Sequence, residues 1–186
     1  MSKNAFIQDN NGNLMQAIVD IENDIIRIRM FDTEYNLLGY MNFQIQNNNR
    51  IFLFEVYCYD EHRGNGIATK MSELADYVLK DYQGYIIRGV YSPTQMSSDI
   101  DNYSRSYPEL EKRARKFYEK NGYEIIDHYK YKVYNDKYSF LDEKEDFTLN
   151  GSALNEIVFK VIKEKEYKYY EDNGLIFYKN EKELNR

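Results

Sequence analysis

The sequence predicts an α/β (α+β) fold, with a mixed central sheet flanked by helices and a C-terminal extension. One observation is the length and composition. The chain has 186 residues, 42% of them hydrophobic and 16% aromatic, which is typical of one globular domain with its own core. The other is the order of the patterns, because strand-like segments come first and helical and strand-like segments then alternate. We therefore expect a domain at residues 1–134 and an extension at 135–186.

Five strands are predicted before residue 60, from runs rich in Ile, Val and Phe. They lie at residues 5–8, 18–22, 25–31, 37–46 and 51–59. In the third strand, Ile26, Ile28 and Met30 alternate with arginines, as in a half-exposed strand. The fifth, IFLFEVYCY, is almost continuously apolar, which predicts a strand that is buried on both faces. Polar segments at 32–36 and 46–50 predict turns.

Two helices and several short strands are predicted after residue 60. Apolar residues at 67, 71, 74 and 78 have helical spacing and predict a helix over 67–80. Pro108 suits the first position of a second helix, and Gly122 suits the left-handed position after its end. Strands are predicted at 85–91 and 123–126, and residues 129–134 extend or follow the second of them.

The C-terminal extension is expected to pack on the domain or to serve dimerisation, so a homodimer is an open alternative. Ser152 suits the N-cap of a helix over 153–166, whose apolar residues need burial. The acidic run at 142–146 is expected to be solvated, and residues 175–178 are expected to form a strand.

Charge and cysteine content exclude several classes of function. The net charge of −6 argues against nucleic acid as a partner, because affinity for phosphate backbones comes from Lys and Arg. The single cysteine, Cys58, leaves no internal disulfide, and one Cys with two His gives no zinc-site spacing. The first residues contain no apolar run typical of a signal peptide, and no apolar stretch of about 18 residues predicts a membrane span. We expect a cytoplasmic protein without a membrane partner.

The segment after the fifth strand carries the clearest chemical signal. It contains two glycines, Gly64 and Gly66, and a helix is predicted directly after them. Such a turn aims free main-chain N–H groups and the positive helix end at one point, where an anion can bind. It is not a P-loop, which ends in Gly-Lys-Ser/Thr, and Thr69 breaks the dinucleotide fingerprint G-x-G-x-x-G. By itself, the segment favours an ordinary strand-to-helix turn.

Two motifs together resemble the GNAT superfamily of acyl-CoA-dependent N-acyltransferases. Residues 63–68, RGNGIA, fit R-x-x-G-x-G/A, and residues 114–124, ARKFYEKNGYE, fit the family's second helix motif. The resemblance covers residues 51–126 and extends plausibly over 18–50. It implies a V-splayed mixed sheet, acetyl-CoA as cosubstrate without a metal, and transfer of the acetyl group to a primary amine of a small molecule or peptide. Two alternatives stay open: a catalytically silent GNAT-fold module that binds CoA or a protein, and a Tyr-rich interaction domain unrelated to the family.

The resemblance also implies which residues contact the cosubstrate. Main-chain groups of the fifth strand would pair with the pantetheine amides, at Val56, Tyr57 and Cys58. The main-chain amides that would receive the pyrophosphate are those of Arg63, Gly64, Asn65, Gly66, Ile67, Ala68 and Thr69. Tyr118 would lie near the thioester sulfur.

Two side chains are candidate catalytic residues. Tyr118 is the candidate general acid, because a phenol can donate to a departing thiolate. Glu55 is a carboxylate in an apolar strand, where burial would raise its pKa towards that of a general base. The alternative for Glu55 is an ion pair with an arginine, the candidates being Arg27, Arg29 and Arg88.

Other polar residues are assigned more modest roles. Asp99 and Asp101, on the polar loop at 92–107, could attract a cationic amine. His62 is expected at the surface, and His128 has no visible partner.

Three departures from the family pattern concern cofactor and acceptor binding. One is the loop at 92–107, which is longer than usual in the region where family members differ in acceptor. Glu111 stands three residues before Ala114, where the family usually has Asn, so a CoA contact of that Asn is in doubt. The early segment lacks the helical periodicity that the family uses to line the acceptor site. The 92–107 loop and the C-terminal segment are the expected substitutes.

Overall fold

The computed structural model describes residues 2–92, 103–149, 151–153 and 156–164. No helix within these ranges is both long and apolar enough to cross a membrane. The described residues form two compact units, one of residues 2–85 with 161–164 and the other within 86–160. Strands and helices occur in both, so the predicted α/β class is confirmed.

The first unit contains an antiparallel meander of five strands. They are β1 (Ser2–Gln8), β2 (Leu14–Glu22), β3 (Ile25–Phe31), β4 (Leu37–Gln46) and β5 (Arg50–Cys58). Each pairs with the next along the chain. In such a meander, the first and third turns and the end of the fifth strand lie at the same end of the sheet. The β1–β2 turn, the β3–β4 turn and the segment after β5 are therefore all at that end of the strands.

Helix α1 (Ile67–Val78) packs against one face of β3, β4 and β5. Met71 and Leu74 of this helix are fully buried, as the helical spacing predicts. A Cβ on Gly39 of β4 would lie 2.6 Å from the carbonyl oxygen of Tyr57 and 3.2 Å from Met71 Cε. A side chain at this position would clash with the main chain of β5 and crowd Met71, so the close approach requires glycine.

Strand β5 is not buried on both faces, contrary to the prediction. Ile51, Leu53 and Val56 are buried, but Phe54 is 38% exposed and Glu55 is also exposed. Phe43 of β4 lies opposite Leu53 and Asn42 lies opposite Glu55, so a β-bulge leaves Phe54 without an opposite residue. The extra residue shifts the alternation, and an apolar run cannot disclose such a shift.

In its described residues, the second unit contains three paired strands, a separate small strand pair and three helices. Its larger elements are β6 (Ile86–Val90), α2 (Tyr103–Lys120), β7 (Glu124–Asp127), α3 (His128–Val133) and α4 (Glu143–Asp146), followed by the short strands β8 (Thr148–Leu149) and β9 (Ser152–Ala153) and by β10 (Glu156–Val161). The strand order is β6-β10-β7, and β10 is antiparallel to β7. Strands β8 and β9 form a separate small pair.

Several sequence-based boundaries in this unit were wrong. Helix α2 begins at Tyr103, so Pro108 lies inside the helix and not at its first position. Proline cannot donate to the carbonyl four residues earlier and its ring crowds that carbonyl, so it disturbs the first turn of α2, and the helix nevertheless extends to its N-terminal side. Residues after 128 form α3 and not a strand, because the Asp127 carboxylate caps the helix by accepting from the main-chain N–H of Lys130.

The helix predicted over 153–166 was also wrong. Residues 156–161 are strand β10, paired with β7, and their sequence EIVFKV is rich in the β-branched and aromatic residues that favour strands. Residues 154–155, 165–166 and the strand predicted at 175–178 lie outside the described residues. The division of the chain after residue 134 stays a prediction.

The acidic run at 142–146 is not fully solvated. Asp146 is 0% exposed, and its carboxylate lies 3.7 Å from Nε of the buried Arg88 on β6. Arg88 Nη2 also donates to the main-chain oxygen of Glu145, at 2.8 Å. The run therefore ties α4 to the sheet of the second unit through a buried ion pair.

Candidate functional site

A glycine-rich loop follows β5 directly. We call residues 63–66 the glycine loop; a 3-10 turn at Asp60–His62 precedes it. Arg63 Nε donates to the carbonyl oxygen of Cys58 at 3.0 Å, which holds the start of the loop against the end of the strand. Gly64 and Gly66 have φ angles of 88° and 82°, the left-handed region that glycine adopts without steric cost.

The N-terminus of α1 has no cap of its own. Gly66 is the N-cap residue and has no side chain that could accept from the helix, and the first turn contains no acidic residue. The first main-chain N–H to find a helical partner is that of Lys70, which donates to Gly66 O at 2.9 Å. The N–H groups of residues 67–69 precede it and have no partner within the helix. Together with the helix dipole, they fit an anion such as a pyrophosphate.

The end of β5 presents an aromatic surface beside this loop. Val56 is buried, whereas Tyr57 and Cys58 are half-buried. The ring of Tyr57 stacks on Tyr40 at 5.5 Å and meets the edge of Tyr59 at 5.0 Å. The predicted pairing of this strand with a pantetheine arm stays a prediction.

Glu55 lies in a cradle of hydrogen bonds that the sequence did not disclose. Its two carboxylate oxygens accept from the Tyr40 hydroxyl and from Asn42 Nδ2, each at 3.0 Å. The side chain is exposed, so the burial on which its candidacy as a base rested is absent. Partial burial, and then the hydrogen bond to Glu55, raise the pKa of Tyr40 to about 12, so this phenol stays a donor.

The alternative of an arginine partner for Glu55 is also wrong within the described residues. Arg29 pairs with Asp20, Arg88 pairs with Asp146, and among the described residues the Glu55 carboxylate binds Tyr40 and Asn42 and not Arg27. Two residues of β4, Asn42 and Tyr40, supply the partners instead. Asn42 lies directly opposite Glu55 on the paired strand, and Tyr40 lies two positions away on the same face.

Tyr118 belongs to the second unit and is packed among rings. It is 8% exposed, and the centroids of Tyr91, Phe117 and Tyr123 lie 6.1, 5.1 and 5.5 Å from its own. Burial raises the pKa of Tyr118 to about 12. Its hydroxyl has no hydrogen-bond partner among the residues that the structure describes. The side chain is therefore a neutral phenol with a donor to offer.

Glu111, which replaces the family's usual Asn, has a structural partner. Its carboxylate accepts from Nε and Nη2 of Arg115, at 3.2 and 3.1 Å, and its main-chain oxygen accepts from the Tyr91 hydroxyl at 3.2 Å. Arg115 also binds Glu156 at 3.0 Å and lies 4.9 Å from the centre of the Tyr91 ring. The ion pair of Glu111 with Arg115 could have been predicted from the sequence, because the two residues are four positions apart on one helix.

The remaining candidates are placed as follows. His62 is half-buried beside Glu61, at 3.3 Å. His128 does have a partner, since its Nε2 lies 2.8 Å from Glu143 Oε1, and this contact, followed by that with Lys132, lowers the pKa of Glu143. Asp99 and Asp101 lie outside the described residues. In the described ranges no three His, Cys, Asp or Glu side chains come together as a metal site would require.

Comparison with known proteins gives a family match. The family described as "Acetyltransferase (GNAT) domain" matches residues 21–125, more than half of the chain. No curated protein matches by sequence.

Several solved structures match this chain at low identity. An acetyltransferase of the GNAT family from Staphylococcus aureus Mu50 matches with a TM-score of 0.50 and 16% identity, over 75% of this chain and 69% of that chain. An aminoglycoside 6′-N-acetyltransferase complexed with coenzyme A matches with a TM-score of 0.47 and 18% identity, over 78% and 77%. The PaiA N-acetyltransferase from Thermoplasma acidophilum, in complex with coenzyme A, matches with a TM-score of 0.42 and 17% identity, over 74% of this chain and 61% of that chain.

Proposed function

The chain belongs to the GNAT acetyltransferase family, and from this premise we propose that it transfers the acetyl group of acetyl-CoA to a primary amine. One observation within the matched region carries the proposal. The glycine loop leads from β5 into the uncapped N-terminus of α1, which is the anion site that a pyrophosphate needs. Direct attack of the amine on the thioester, in a ternary complex, is the mechanism that we propose.

The first unit would hold the cosubstrate. The N–H groups of residues 67–69 and of the glycine loop would receive the pyrophosphate, and Arg63 adds a positive charge to the same loop. Main-chain groups of Val56, Tyr57 and Cys58 would pair with the pantetheine arm. Acetyl-CoA supplies an activated carbonyl, so most of the rate increase would come from orientation of the two reactants.

Tyr118 is our candidate general acid. Its assignment to the reacting sulfur rests on the family resemblance, and its own surroundings support the chemistry. With a pKa of about 12, the phenol is protonated throughout the working range of pH and can donate to the sulfur as the C–S bond breaks. A thiolate, with a thiol reference pKa of about 8.5, is a weaker base than the Tyr118 phenolate. Tyr118 would therefore act mainly by hydrogen bonding, and the thiolate would finally take the proton that the amine loses.

Glu55 is our candidate for first receiving the proton that the amine loses, before this proton passes to the thiolate, or for binding the amine as an ammonium group. The cradle of Tyr40 and Asn42 fixes the carboxylate without using all of its acceptor sites, since each oxygen accepts one hydrogen bond within the described residues. The rings of Tyr40 and Tyr57 stand beside it and suit a cation.

Release of CoA thiol with a panel of amines tests the proposal. Spermidine and aminoglycosides are named for structural neighbours, so the panel contains spermidine, an aminoglycoside and a lysine-containing peptide. We expect thiol release with at least one of these amines. No release despite binding of acetyl-CoA would support the catalytically silent module instead.

Glu55→Gln is expected to lower kcat/KM for the amine about 100-fold, because it removes the base or the counter-charge and keeps the shape. Glu22→Gln, the same change at an exposed position of β2, serves as the control and should have no effect. Thiol release at saturating acetyl-CoA measures both variants. Equal kcat/KM values for Glu55→Gln and wild type would remove Glu55 from the mechanism.

A further inference from the structure

The turn between β1 and β2 touches the glycine loop, although it lies outside the region that matches the family. The match begins at residue 21, whereas the turn comprises residues 9–13. We propose that this turn holds the glycine loop from outside in the anion-binding shape that CoA needs, with Asn10 and Asn11 as positioning residues. The inference rests on the proposed function, because it concerns the same loop.

The turn is internally fixed by one carboxylate. Asp9 Oδ1 accepts from the main-chain N–H groups of Asn11 and Asn13, both at 2.8 Å, and Oδ2 accepts from Asn13 Nδ2 at 2.9 Å. The Asn13 side chain, followed by the main-chain donors, lowers the pKa of Asp9 below its usual value, so the acceptor is ionised at neutral pH. The turn therefore keeps one shape before any ligand arrives.

Three contacts join this turn to the glycine loop. The Asn10 N–H donates to the carbonyl oxygen of Asn65 at 3.1 Å, and Asn11 Nδ2 donates to Asn65 Oδ1 at 3.3 Å. The Asn10 side chain occupies the space over Gly66, since a Cβ placed there would lie 2.5–2.6 Å from its amide atoms. The turn therefore contacts Asn65 and Gly66, the two residues that directly precede the first residue of helix α1.

These contacts bear on the orientation of the N–H groups at the start of α1. Gly66 is the N-cap, and glycine is the residue with the most conformations to lose when a ligand orders it. A loop already held in the bound conformation avoids that entropic cost on binding. Loss of the turn should therefore weaken CoA binding without removing any group that touches CoA.

The chain contains a matched control turn. Residues 32–36, DTEYN, repeat the pattern of residues 9–13, DNNGN: Asp32 Oδ1 accepts from the N–H groups of Glu34 and Asn36, and Oδ2 accepts from Asn36 Nδ2, all at 2.8 Å. It stands at the same end of the sheet, but it has no hydrogen bond to the glycine loop in the described part of the chain. Asp9→Ala and Asp32→Ala thus remove the same bonds and the same charge.

Calorimetric titration with coenzyme A compares these two variants. We expect Asp9→Ala to bind CoA about tenfold more weakly than wild type. This is the size expected if the two hydrogen bonds between the turn and Asn65 are no longer ordered. Asp32→Ala should bind CoA with the affinity of the wild type. The thermal midpoints of the two variants should fall by similar amounts. Removal of an anion near a phosphate site favours binding, so weaker binding by Asp9→Ala cannot be an effect of charge.

Two further variants distinguish loss of the contact between the turn and the glycine loop from a general loss of stability. Asp9→Asn keeps an acceptor for the two main-chain N–H groups and should restore most of the affinity. Asn11→Ala removes only the side-chain bond to Asn65 and should weaken binding about threefold. Equal CoA affinity of Asp9→Ala and Asp32→Ala would overturn the inference alone. Failure of the wild type to bind CoA would overturn the proposed function, and the inference with it.

Discussion

Replacing Tyr118 by Phe is expected to lower kcat at least about 100-fold, with little change in the affinity for acetyl-CoA. The hydroxyl is the only atom lost, and it has no hydrogen-bond partner among the described residues. The ring would remain packed against Tyr91, Phe117 and Tyr123, so stability should hardly change. Steady-state thiol release and a calorimetric titration with CoA measure the two quantities.

The matched control is Tyr123→Phe, which removes a hydroxyl from the same ring cluster and is expected to keep its kcat. A kcat for Tyr118→Phe within about twofold of wild type would exclude the hydroxyl from catalysis.

The pH dependence gives a second test of Tyr118. A general acid must be protonated, and a group with a pKa of about 12 is protonated at all lower pH. Tyr118 therefore cannot cause a fall of kcat between about pH 8 and 10. Any such fall should also be present in the residual activity of Tyr118→Phe, and its disappearance in that variant would show that Tyr118 titrates in this range and would contradict the raised pKa.

Replacing Asp146 by Ala is expected to cost about 3–5 kcal/mol of the free energy of unfolding, because it leaves a buried guanidinium without its counter-charge. Asp146 is fully buried and faces Arg88, which is itself buried on β6. Urea unfolding measures the loss. Asp136→Ala, the same change at an exposed position of the second unit, should cost less than about 0.5 kcal/mol.

A double replacement separates the ion pair from the packing. Arg88→Met with Asp146→Leu removes both charges and keeps apolar volume, so it should be more stable than Asp146→Ala alone. A loss below about 1 kcal/mol for Asp146→Ala would show that the pair is not a main support of the second unit.

Much of the first unit could be predicted because its elements carry strong local patterns. Strands β3 and β4 have the predicted bounds, since each alternates apolar and polar residues along its length. Helix α1 begins at the predicted residue and ends two residues earlier than predicted. Three of the four apolar residues at helical spacing, Ile67, Met71 and Leu74, lie on its buried face. The glycine loop was found for the same reason, as its signal is continuous in sequence.

The errors arose where tertiary contacts decide between local alternatives. Residues 156–161 carry a pattern compatible with a helix or a strand, and pairing with β7 selects the strand. The bulge at Phe54 depends on the partner strand β4 and leaves no mark in the run IFLFEVYCY.

The partners of the site residues were hidden for a related reason. Tyr40 and Asn42 are 15 and 13 residues from Glu55, and strand pairing brings them together. The contact of Asn11 with Asn65 spans 54 residues. The repeated pattern of DNNGN and DTEYN was readable in the sequence, but the contact of the first turn with the glycine loop was not.

The most direct test of the central claim is the thermal midpoint with and without saturating acetyl-CoA, in wild type and two variants of Gly64. A Cβ at Gly64 meets no atom within 4 Å, and Asp and Asn tolerate its left-handed conformation better than other residues. Gly64→Asp and Gly64→Asn thus have nearly the same shape and strain, and differ in one negative charge. Gly84→Asp adds the same charge at an open left-handed position beyond the other end of α1.

At a hundred times its dissociation constant, acetyl-CoA should stabilise the wild type by about 2.7 kcal/mol. Gly64→Asn and Gly84→Asp should keep most of this gain, and Gly64→Asp should lose it, because its carboxylate adds a negative charge to the loop that would receive the pyrophosphate. No rise in the wild-type midpoint, or an equal rise in Gly64→Asp and Gly64→Asn, would contradict the placement of the pyrophosphate at the glycine loop.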